Sequence, residues 1–176
     1  MTSILALYLS PLGAGWAAGS PDCDKPMAGL LTFGGNSHTD DEIWRNAAKE
    51  VLDRIKFHDA KIVAITAVPA LTASAQRLYD LHVAVRLVTK WALPGAAMRV
   101  DMGNALQTFT GTAQYPNAAD ADRAAMGEAR RRLWLGQDRQ PMDKALALAI
   151  WCYAASLQLP SLAFHPPKPP RAAKES

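Results

Sequence analysis

The chain has 176 residues, 49% of them hydrophobic and 20% charged, a composition that suits one globular domain and argues against a disordered or fibrous chain. A formal net charge of +3 permits an anionic partner but is too small to single out nucleic-acid binding. Two cysteines, Cys23 and Cys152, far apart in sequence, and four histidines without an H-x-x-x-H pairing leave neither a disulfide framework nor a zinc knuckle, and a reducing cytoplasm is the natural setting.

In chain order, Ile4 to Leu9 is an apolar run ended by Ser10-Pro11-Leu12-Gly13, which predicts a strand and a tight turn, and Gly15 to Ala18 starts a second strand running back. No Lys or Arg precedes Lys25, and Pro11, Gly13 and Gly15 interrupt the apolar run, so neither a secretory leader nor a membrane span is expected there. Met27 to Phe33 offers a third strand. Thr39-Asp40-Asp41-Glu42 has capping-box spacing, and Ile43, Ala47, Val51 and Ile55 recur at helical intervals, predicting a helix over about residues 40–57. The run from Lys61 to Val68 is apolar, β-branched and without alternation, as in a central strand covered on both faces and parallel to the first.

A helix from Ser74 to Trp91 is expected to bury Leu78, Leu81, Val85 and Val88, followed by Pro94-Gly95 and a short strand over Ala97 to Asp101. Asn117 can cap a helix reaching Leu135, and Pro141 can open a last helix to about Leu157. After Pro160 the composition turns to a proline-rich basic tail, so the expected division is a domain over residues 1–158 and a tail over 159–176. Three antiparallel strands, a helix, then strands alternating with helices is the ribonuclease H-like order: an α/β mixed sheet, antiparallel then parallel, flanked by helices.

Five stretches, ILALYLSPLGAGWA, IVAITAVPA, LYDLHVAVRLV, NALQTFTG and ALALAIW, resemble in order and spacing the RuvC-type Holliday-junction resolvases, above all the compact phage-borne forms. The resemblance spans roughly Ile4 to Ser156. It implies four carboxylates holding two divalent metals, one to activate water and one to neutralise the leaving oxygen of a phosphodiester. Magnesium takes hard oxygen ligands, so neutral groups are poor substitutes. Here the first aspartate of the pattern falls on Tyr8 and the glutamate of the second catalytic strand on Thr66. With Ala145 to Ala149 in register with the final helix, D-x-x-D-A-L-A-L-A, the last two aspartates fall on Pro141 and Lys144. The basic segment that follows T-G in phage forms is replaced by Thr112 to Asp120.

These substitutions imply a RuvC-like pseudoenzyme with no cofactor, acting as a binding or structural subunit that is phage-encoded and part of an assembly. It is expected in the cytoplasm, or in a virion, off the membrane, with a protein partner or a second copy. Two other readings stand beside it. One is a magnesium-dependent, structure-specific endonuclease that uses other acids, Asp143 and Asp101 foremost, since a one-residue shift turns a helical side chain by about 100°. The other is a protein that binds DNA without cutting it, through Arg130, Arg131, Arg132, Arg139 and Lys144.

Overall fold

The computed structural model describes residues 2–35, 37–67, 75–136 and 141–159. Five strands make one mixed sheet in the order β3-β2-β1-β4-β5: β1 (Ser3–Ser10), β2 (Gly13–Gly19), β3 (Met27–Thr32), β4 (Ala60–Thr66) and β5 (Ala97–Val100). The first three are antiparallel neighbours, with Tyr8 opposite Gly15, whereas β4 runs parallel to both β1 and β5, with Leu7 opposite Ile65. Because strand side chains alternate, Leu5, Leu7, Leu9, Val63 and Ile65 join one core, and Ile4, Ala6, Tyr8, Ile62 and Ala64 face the other.

The first core is closed by α1 (Asp40–Phe57) and α2 (Gln76–Ala92), packed side by side. Thr39 caps α1 as the spacing predicts: its hydroxyl accepts from the Glu42 amide at 3.3 Å, and the Glu42 carboxylate accepts from the Thr39 amide at 2.8 Å. The second core is filled by α5 (Pro141–Gln158), which is buried almost all round. Outside it lie α3 (Met102–Thr110) and α4 (Ala118–Arg131). The ribonuclease H-like order of elements expected from the sequence is thus the observed one.

Three local readings change. The residues after β5 form α3, which the propensities of Thr108 and Thr110 conceal; Asp101, read as a strand end, is its N-cap, accepting from the Asn104 amide at 3.1 Å. The helix expected to reach Leu135 ends at Arg131, because Leu133 takes a left-handed φ of 59° and the Trp134 amide turns back to the Ala129 carbonyl at 2.9 Å. In α2 the fully buried positions are Leu81, His82, Val85 and Thr89, whereas Leu78 is half-buried at the margin of the same core and Val88 is half-buried. Thr89 tolerates burial because its hydroxyl donates to the Val85 carbonyl within the helix, at 2.8 Å. The proline-rich tail from Pro160 and the end of the run at Val68 lie outside the described residues.

Candidate functional site: the cleft where β1 meets the start of α5

Alternation places Tyr8 and Ser10 on the α5 side of β1, and Thr66, at the end of the neighbouring strand, on the same side. The first turn of α5 comes down against them. Gly15, the partner of Tyr8 on β2, makes this approach feasible: a Cβ there would lie 2.0 Å from the Asp143 carbonyl oxygen. A hollow of about 370 Å³ opens beside the contact, bordered by Ser10, Gly13, Thr32, Gly34, Met142 and Asp143 among others.

Three titratable groups converge here. Tyr8 is half-buried, and its phenol is held above its usual range by burial first, then by the charges of Asp143 and Asp122. Burial also raises the Asp143 carboxyl, and Asp122 raises it further, while a hydrogen bond from Ser10 works in the opposite direction. Asp122, on α4, is raised by burial alone. Each of the three therefore favours its neutral form over the usual balance.

Asp122 is the member that sequence reasoning missed. A usable signal existed: Asp120 and Asp122 are two residues apart, about 200° around a helix, so they cannot share a face. Asp120 takes the outer side, paired with Arg123 and with Asn117 Nδ2 at 2.9 Å. Asp122 is turned inward.

The other positions are distributed as follows. Thr66 is buried, at 5% exposure. Pro141 opens α5, and Lys144, partly buried on its first turn, is engaged by a neighbour. Asp101 is committed to capping α3 and does not join Tyr8. Among the described residues no group of three or more His, Cys, Asp or Glu side chains is gathered as a metal ion would require. Asp143 and Asp122 are the acids with which a cation in this cleft would have to begin.

The arginine run is mostly occupied. Arg131 and Arg132 both pair with Glu128, Arg132 through Nε at 2.6 Å. Arg132 is also the packed one, its guanidinium carbon 5.4 Å from the Phe109 ring centre and 5.2 Å from that of Trp134. Arg130 is exposed, and Arg139 lies outside the described residues. The segment replacing the basic stretch of phage forms closes the α3–α4 connection, with Thr110 hydrogen-bonded to Tyr115.

No family profile matches the sequence, and no curated protein does. Solved structures do. The chain superimposes on Thermus thermophilus RuvC with a TM-score of 0.69 at 14% identity, over 90% of this chain and 97% of that one. The same protein in complex with a Holliday-junction substrate gives a TM-score of 0.67 at 14% identity, over 90% and 95% of the two chains. The yeast mitochondrial Holliday junction resolvase Ydc2 gives 0.62 at 7% identity, over 89% and 80%. The architecture is therefore that of the ribonuclease H-like proteins. Within that class, the chain has the fold of the RuvC-type resolvases.

Proposed function

We propose that this chain is a catalytically silent RuvC-fold subunit that acts through its surfaces, with a protein partner, as a component of an assembly. The observation that carries the reading is the composition of the cleft: Tyr8 and Thr66 stand on adjacent strands facing α5, at the positions where the resemblance implies carboxylates. A phenol held neutral, a buried hydroxyl and a lysine do not suit two hard divalent ions. Asp143 and Asp122, each shifted toward the protonated state, compensate poorly. The likeness of NALQTFTG to phage forms supports a phage-encoded protein, working in the host cytoplasm or carried in a virion. Protein is favoured over DNA as the partner because Arg131 and Arg132 share one carboxylate, leaving less free positive charge than the sequence suggests.

The direct test is incubation of the full chain with labelled four-way junctions and single-stranded DNA in magnesium or manganese. Both substrates are expected to remain intact. Metal-dependent cutting that disappears in Asp143→Asn would overturn the proposal. A second test reads the cleft itself. Tyr8→Asp sets a third carboxyl beside Asp143 and Asp122, and should cost about 1 to 3 kcal/mol of stability with no recovery in magnesium. A melting temperature restored by magnesium would show that the cleft still accepts the ion.

A further inference from the structure

The two edges of the sheet are not alike. β5 is four residues long and carries the exposed Arg99, a charge of the kind that discourages further pairing. β3, at the opposite edge, runs six residues in unbroken register with β2 and contains no charged residue, no proline and no bulge. The Phe33 amide donates inward to the Leu12 carbonyl at 2.8 Å, continuing that register. Antiparallel strands alternate the direction of their main-chain groups, so Met27, Gly29 and Leu31 bond toward β2 while Ala28, Leu30 and Thr32 point N–H and C=O outward. No strand among the described residues lies beyond β3. Two exposed methionines flank the edge: Met27, 56% exposed, begins the strand, and Met142, 39% exposed, borders the hollow that Leu30 and Thr32 also line.

We propose that this edge pairs with the same edge of a second copy, antiparallel and two-fold about Leu30. Strand addition draws its affinity from main-chain bonds, and β3 offers three consecutive sites for them. The register about Leu30 is self-complementary. Leu30 meets its own counterpart, Ala28 meets Thr32, and all three are outward-facing positions, so each pair exchanges two hydrogen bonds. On the other side of the sheet Gly29 stands opposite Leu31, and the exposed Met27 is set against Phe33. No charge is brought against a like charge along the strand. Other occupants fit less well. The segment 160–176 holds Pro166, Pro167, Pro169 and Pro170, which cannot supply alternating amides. Pairing with β5 of another copy would be head-to-tail, would meet Arg99 and would not be two-fold. A nucleic acid finds no cation between Met27 and Thr32.

This goes beyond the function proposed above, since junction cleavage would overturn that reading and leave this one in place. The test has two arms on the full chain. In sedimentation, the natural chain should self-associate, and Leu30→Lys and Leu30→Glu, which each set like charges opposite one another at the axis, should weaken that association at least tenfold. Mixing the two variants should restore it. The second arm reads register by oxidative cross-linking. Hydrogen-bonded partners across antiparallel strands lie about 5.5 Å apart between Cα atoms, within disulfide range. Leu30→Cys should therefore cross-link to itself, above the level of the natural chain, and so should Ala28→Cys mixed with Thr32→Cys. Thr32→Cys alone should not, because its two copies stand four residues apart along the strands, about 13 Å. The inference is overturned if the natural chain stays monomeric, including the case in which the monomer instead captures an extended peptide from another protein. It is equally overturned if association is indifferent to both Leu30 charges, or if Thr32→Cys alone cross-links as readily as Leu30→Cys.

Discussion

Helices α5 and α2 pack on opposite faces of the same sheet and treat their apolar residues in opposite ways. α5 has ten buried residues from Ala145 to Ala155, with no polar stripe through its middle, as expected of a helix enclosed by protein. α2 buries Leu81, His82, Val85 and Thr89, two of them polar, while Leu87 and Trp91 face solvent. The polar pair costs something: His82 is 2% exposed and its Nδ1 has no partner among the described residues. The contrast separates a helix whose sequence is dictated by the fold from one that holds apolar surface in reserve. It also explains the pattern of ALALAIW: small and large residues alternate there to fill a fixed, buried space.

The largest effect should come from the α5 side. Trp151 is fully buried, its ring edge-on to Trp134 and its indole donating to the Gly19 carbonyl at 3.3 Å. Trp151→Ala should cost roughly 3 to 5 kcal/mol, read as a lower denaturant midpoint. Next comes acid. Burial, helped by the nearby Arg86, lowers the His82 imidazole to about 4. An unfolded histidine takes up a proton near pH 6.5 while the folded one stays neutral, so stability falls as pH drops from about 6.5 to about 4. The loss should be on the order of 3 kcal/mol, and His82→Leu should flatten that part of the pH profile.

Gly15→Ala sharpens the same comparison from the strand. The obstructing atom is the Asp143 backbone oxygen, so α5 or β2 must shift, at a cost of about 1 to 3 kcal/mol, and the Tyr8 fluorescence or NMR environment should change with it. The smallest effect belongs to the reserve surface. Leu87→Ala should alter stability by less than about 0.5 kcal/mol, whereas a comparable loss in unfolding free energy to that of Trp151→Ala would mean that Leu87 is part of the core.

How much of this was legible depends on whether the signal was local. Thr39 and Glu42 mark the start of α1 through bonds made within four residues, and the observed helix begins and ends where the spacing places it. The orientation of α2 was not local. Leu78 and Val88 are better apolar candidates than His82 and Thr89, and only packing against α1 and the sheet decides between them. The cleft divides in the same way. Tyr8 and Thr66 could be placed on one face from strand alternation and the resemblance, but the charge of Asp122 is felt at Tyr8 and Asp143 from α4, through a tertiary approach that no spacing between the segments encodes.

Although it is the last described element in sequence, α5 touches all five strands, the first of which begins at Ser3. During synthesis the sheet is complete once β5 has emerged, with one apolar face still uncovered. At about 5 to 20 residues per second, the ribosome needs several more seconds to deliver residues 141–158. For that interval Ile4, Ala6 and Ala64 have no helix to pack against, and the nascent sheet is open to self-association or to a chaperone. Arresting translation after residue 115 should therefore yield a chain that precipitates or is held by chaperones, and release after residue 158 should give one that is neither.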